Sequence, residues 1–244
     1  FFSFYLGATA GFLIGFLGSR YLFGRPIEDS VAIGFCCLFS NTVMLGLPIT
    51  ERAYGTEVLQ YNFAIVSIHA PFCYFIGITV MELAKSREKS VKENIFRILR
   101  AMFSNAIVVG IALGFFINIS GLSIVQTIQA SIDMVTAVAL PAALFGMGGI
   151  LYRYRPQGDA GPILMICVIS LVLHPLIVWL TGLKFNLSDA QMRSAVITAS
   201  MAPGINTYVF ANMYGVAKRV ASTGVLLSTT LSIGTVWVWL NVLS

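Results

Sequence analysis

Ser40–Gly55, SNTVMLGLPITERAYG, limits what this chain can fold into more than any other stretch. It lies late in an apolar run that begins near Val31, and it contains what an uninterrupted membrane helix avoids. Asn41 and Thr42 put polar side chains at membrane depth, and Gly46 and Pro48 follow within a few residues. Proline has no amide to donate, and in hydrocarbon each orphaned backbone group costs several kcal/mol. A helix broken there survives only where protein or a cavity satisfies it. A second stretch, Ser200–Gly215 (SMAPGINTYVFANMYG), has the same character. Two interrupted helices in matching places of two halves point to the binding site of a transporter.

Composition fixes the setting of these breaks. The chain is 57% hydrophobic and 10% charged, with mean hydropathy +0.86, against about 25% charged residues in soluble domains. It reads as an all-α polytopic membrane protein. The net charge of +5 resides in short loops between apolar runs, which signifies topology rather than nucleic-acid binding. Cys36, Cys37, Cys73 and Cys167 all fall inside apolar runs without metal-ligand spacing, so they read as small buried hydrophobes. No H-E-x-x-H, P-loop or G-x-S-x-G occurs, so neither an enzyme nor a cofactor or metal site is expected.

Eight spans are expected: Phe1–Phe23, the broken Val31–Tyr54, Val58–Leu83, Ala101–Ile119, Ile124–Leu151, Pro162–Leu183, the broken Gln191–Tyr214, and Ala221–Leu243. Phe1 opens inside an apolar run with no basic segment or cleavage site before it. Phe1–Phe23 is therefore expected to be a span rather than a signal peptide, and the true N-terminus to lie further upstream. Gly7, Gly11 and Gly15 recur every four residues and form a flat ridge for close helix packing. Asn105 reads as a helix-packing residue, and Asp133 as one that reaches the interface.

With alternating spans, one side collects Arg20, Arg25, Lys85, Arg87, Lys89, Lys92, Arg97, Arg100, Arg153, Arg155, Lys218 and Arg219. The other collects Arg52, Lys184 and Arg193. The first side is cytoplasmic by the positive-inside rule, so loop 85–100 lies inside, and a plasma (bacterial inner) membrane is the expected location. That basic loop divides the chain into residues 1–84 and 101–244. The last three spans (161–244, after a turn at 152–160) repeat the whole, broken, whole order of the first three. The two broken spans cross in opposite directions, as inverted repeats require.

At each break, unpaired amides and the positive end of a half-helix suit a carboxylate. Asn41, Thr42, Asn206 and Thr207 add donors and acceptors without a buried charge, and are the expected substrate contacts. Gly46, Pro48, Pro203 and Gly204 are expected to shape the crossover, with Pro48 making the first break. His69 is an intramembrane ionisable residue, hence a candidate for substrate binding or proton coupling. His174 precedes Pro175 and is placed to satisfy the carbonyl which that proline frees.

Several stretches resemble the auxin efflux carrier family, which includes the plant PIN-FORMED carriers and bacterial carriers of malonate and related acids. SNTVMLGLPITERAYG looks like the family's first crossover and MAPGINTYVFANMYG like its second. ALPAALFGMGGIL looks like its seventh span and STGVLLSTTLSIGTV like its tenth. Pro203-Gly204 departs from the paired prolines of bacterial members, and His69 stands where plant carriers have a polar amide. The resemblance implies a five-plus-five inverted-repeat transporter fold, related to bile-acid symporters and sodium–proton antiporters, with its first two spans absent here. It implies a transport domain containing both crossovers (1–84 and 161–244) and a scaffold domain to which 101–151 contributes. It also implies elevator-type carriage of a small organic anion, with the lipid bilayer, a proton or sodium ion and a second copy in a homodimer as expected partners. Two other readings are a sodium-coupled symporter of the bile-acid type and a non-transporting sensor or channel.

Overall fold

The computed structural model describes residues 1–85, 93, 96, 99, 100, 103, 106–153 and 160–244. Arg87, Lys89, Lys92, Arg97, Asn105 and Arg155 lie outside the described residues. In chain order the helices are α1 (Phe2–Tyr21), α2 (Ile27–Leu38), α3 (Leu47–Tyr54), α4 (Leu59–Lys85), α5 (Ala106–Ser120) and α6 (Gln126–Arg153). They continue with α7 (Ala160–Val168), α8 (His174–Lys184), α9 (Asp189–Ala199), α10 (Ile205–Tyr214) and α11 (Lys218–Val242). A π-helical turn, Thr42–Gly46, leads into α3, and another, Ile169–Leu173, joins α7 to α8. Among the described residues, four stretches are long and apolar enough to cross a membrane: Phe2–Tyr21, Thr56–Lys85, Ala160–Lys184 and Lys218–Val242. The protein is an integral membrane protein.

The chain forms two compact units, Phe1–Cys73 with Pro156–Ser244, and Tyr74–Arg155. The second contains α5 and α6. The first contains both breaks, and its centre is built from Phe4, Ile65, Val178, Val196, Ile197, Met201 and Trp239.

Small residues bring its backbones together, as helix association in a membrane requires. A Cβ added at Gly7 would lie 2.7 Å from Cδ2 of His174, and one at Gly11 2.7 Å from the Cys37 carbonyl oxygen. One at Gly15 would meet the Cys37 sulfur at 2.7 Å, and one at Gly34 the Phe12 carbonyl oxygen at 2.9 Å. The glycine ridge of α1 thus lies directly on α2 and α8. Short polar signals end the broken segments. Ser188 and Gln191 form a reciprocal capping box at the start of α9, and Gly215 closes α10 in the left-handed region at φ 77°.

Pro175 leaves the Leu171 carbonyl without its helical donor. His174 does not fill that role. The indole Nε1–H of Trp239 on α11 donates to Leu171 O at 3.1 Å, while His174 turns to α1 and the first break. Trp239→Phe keeps most of the buried ring and removes only this donor. It is expected to destabilise the protein by about 1–3 kcal/mol, the cost of an orphaned buried acceptor. Thermal unfolding in detergent micelles would show this as a lowered midpoint.

Candidate functional site

The two breaks meet and satisfy each other. α2 ends at Leu38, and the chain runs extended through Phe39, with φ −97° and ψ 92°. α9 ends at Ala199, and Gly204 (φ −72°, ψ 161°) leads into α10. Ser40 and Pro203 pair as an isolated antiparallel bridge. The Asn41 amide donates to the Ala202 carbonyl at 2.9 Å, and the Gly204 amide to the Phe39 carbonyl at 3.0 Å. Each interrupted helix supplies the donor and acceptor that the other lacks, so unwound backbone is tolerated at membrane depth.

The first break therefore lies at Phe39–Asn41, upstream of where Pro48 would put it. Pro48 sits in the first turn of α3, where a missing amide removes little. Gly46 contributes no close approach, since a Cβ there would have its nearest neighbour at 3.6 Å. Pro203 and Gly204 lie in the second break itself, and a Cβ at Gly204 would be 3.4 Å from the Phe39 ring.

Both following helical segments start at this bridge, so two positive helix ends converge there. Asn41 is half-buried and its Oδ1 accepts from the Met44 amide at 3.2 Å, capping the π-helical turn. Thr42 is buried, and its hydroxyl has no hydrogen bond among the described residues. Asn206 is half-buried, and its side-chain amide is likewise unpaired among the described residues. Thr207 is buried and its hydroxyl donates to the Gly204 carbonyl at 2.8 Å. The four polar residues expected from sequence are thus gathered around one crossing, two of them spending a side-chain group on the backbone of their own segment.

His69 is enclosed under the break, with Nε2 3.1 Å from the Ser40 carbonyl oxygen. Its ring lies edge-on to Phe4 at 5.6 Å and to Phe39 at 4.7 Å, centroid to centroid. His174 places Nδ1 3.4 Å from the Ser40 hydroxyl and Nε2 3.3 Å from the Phe4 carbonyl oxygen. Nothing in the sequence singles out Ser40, a common residue next to the more telling Asn41 and Thr42.

A second polar cluster also goes beyond the sequence reading. Asn62 Nδ2 donates to Thr198 Oγ1 at 2.7 Å and to Thr50 Oγ1 at 3.2 Å, while its Oδ1 accepts from the Ser194 hydroxyl at 2.8 Å. All four residues are fully buried. The only sequence signal for it is a lone Asn inside an apolar span, together with hydroxyls four apart at 194 and 198. Among the described residues, no three His, Cys, Asp or Glu side chains converge as a metal site.

A family model described as "Membrane transport protein" matches residues 2–240. The chain belongs to this family, the auxin efflux carriers. Among curated proteins it is similar to one from Rhizobium meliloti (strain 1021) named "Putative malonate transporter". The two are 34% identical over 110 residues, which cover 45% of this chain and 34% of that protein. The match thus spans about a third of the relative's length. The family is one described as membrane transport proteins.

Proposed function

We propose that the protein is a secondary carrier of a small organic anion, a mono- or dicarboxylate such as malonate, bound where the two broken helices cross. The observation that carries this reading is the Ser40–Pro203 bridge, at which two half-helices begin side by side. Their positive ends attract a carboxylate, while Asn41, Thr42, Asn206 and Thr207 offer neutral polar groups that can release it again. The malonate name of the Rhizobium relative agrees with this ligand class. In this reading the chain contributes eight spans of a five-plus-five inverted repeat in a plasma membrane. The unit holding both breaks moves as an elevator, with 101–151 belonging to the scaffold.

Protein reconstituted in lipid vesicles should take up radiolabelled malonate saturably. Asn41→Ala and Asn206→Ala should each raise the half-saturation concentration about tenfold, the equivalent of one lost ligand hydrogen bond. Unchanged uptake in both variants would overturn the site, and linear, non-saturating flux would identify a channel instead. Sodium dependence, tested in the same vesicles, would point to a symporter of the bile-acid type.

A further inference from the structure

We propose that His69 and His174 are positioning residues that fix the crossover by holding Ser40 from two sides, one through its carbonyl and the other through its hydroxyl. Their effect on transport rests on the crossover being the substrate site; their effect on the crossover itself does not.

Ser40 is the centre of the bridge. Its neighbours Phe39 and Asn41 turn their polar backbone groups to the second break. That leaves Ser40's own carbonyl facing the other way, where it accepts from the Thr42 amide at 2.9 Å and lies 3.1 Å from His69 Nε2. A carbonyl can only accept, so His69 carries its proton on Nε2. By the same logic His174 carries its proton on Nε2, toward the Phe4 carbonyl, and its bare Nδ1 accepts the Ser40 hydroxyl. His69 is 2% exposed and His174 0%, so water has no access with which to replace either bond.

The two histidines come from different halves of the chain. His69 stands on α4 and His174 opens α8 directly after the π-helical turn Ile169–Leu173, where the extra residue per turn resets the direction of α8. Room for the His174 ring exists because residue 7 is glycine: any Cβ there would lie 2.7 Å from Cδ2 of that ring. A whole helix of each half is therefore fastened to one residue of the first break. The hydrogen bonds of both rings reach the first break through Ser40, which gives His69 a role one step removed from the substrate.

The test is amide hydrogen exchange at Asn41 and Gly204, the two donors of the bridge, in protein held in lipid nanodiscs. His69→Ala and His174→Ala should each accelerate both amides about tenfold or more. His69→Gln, which returns a donor near the Ser40 carbonyl, should recover most of the protection. Ser40→Ala keeps the carbonyl and should reproduce only the His174→Ala effect. This variant also decides the matter should the histidine variants fail to fold. Exchange at unaltered rates, or a Gln variant no better than Ala, would overturn the clamp. Malonate added to the wild type, read by thermal shift, tests the substrate reading separately. No shift would count against malonate binding and leave the exchange rates to judge the clamp.

Discussion

Asn62→Ala is expected to destabilise the protein by about 2–4 kcal/mol, since it vacates a buried side chain and removes hydrogen bonds from buried partners. Asn62 uses both amide protons and its carbonyl on hydroxyls from two other elements, Thr50 of α3 and Ser194 and Thr198 of α9. α3 is only eight residues long, too short to persist by its own propensity. What holds it is packing on α9 and this one node on α4. Some of the orphaned hydroxyls can turn back to carbonyls in their own helices, which keeps the effect below three full bonds. Asn241 supplies the contrast: it is exposed and donates to the Trp237 carbonyl of its own helix. Asn241→Ala should change stability by less than about 0.5 kcal/mol. Thermal unfolding of the two variants in the same detergent decides the point, and equal midpoints would show that the node holds nothing.

Sequence patterns reveal most of what depends on composition and little of what depends on meeting. Apolar runs separated by basic loops identify a membrane protein, and the two polar, proline-containing stretches identify the residues at the crossing. Pro48 is conspicuous in a sequence and draws the first break to itself, whereas the interruption at Phe39–Asn41 is made by backbone pairing with Ala202 and Gly204. Pairing between segments so distant in sequence leaves no local signature. His174 stands next to Pro175 in the chain, yet the carbonyl which that proline frees is reached by Trp239 from α11. Asn62 shows the same limit from another direction. An isolated polar residue in a span announces that it needs partners, but only the packing of α3, α4 and α9 names them.

Gly11→Val should prevent folded protein from accumulating, and even Gly11→Ala should destabilise it by about 1–3 kcal/mol, the usual range for overpacking. The first added carbon would lie 2.7 Å from the Cys37 carbonyl oxygen and 3.4 Å from Cγ2 of Ile169. The closer obstacle is backbone, so relief requires α1 and α2 to separate. α2 runs straight into Phe39, whose carbonyl accepts the Gly204 amide, so strain at Gly11 is carried to the crossover. Gly18 presents a milder case, because a Cβ there would meet Sδ of Met165 at 2.6 Å, and a methionine can turn aside. Gly234 has nothing within 4 Å of an added Cβ, and alanine there should be neutral or stabilising by up to about 1 kcal/mol through helix propensity. The expected order of melting points among the alanine variants is therefore Gly234, then Gly18, then Gly11. Finding Gly11→Ala as stable as Gly234→Ala would mean that α1 does not approach α2 as closely as the ridge requires. In that case the route by which α1 supports the first break would be lost with it.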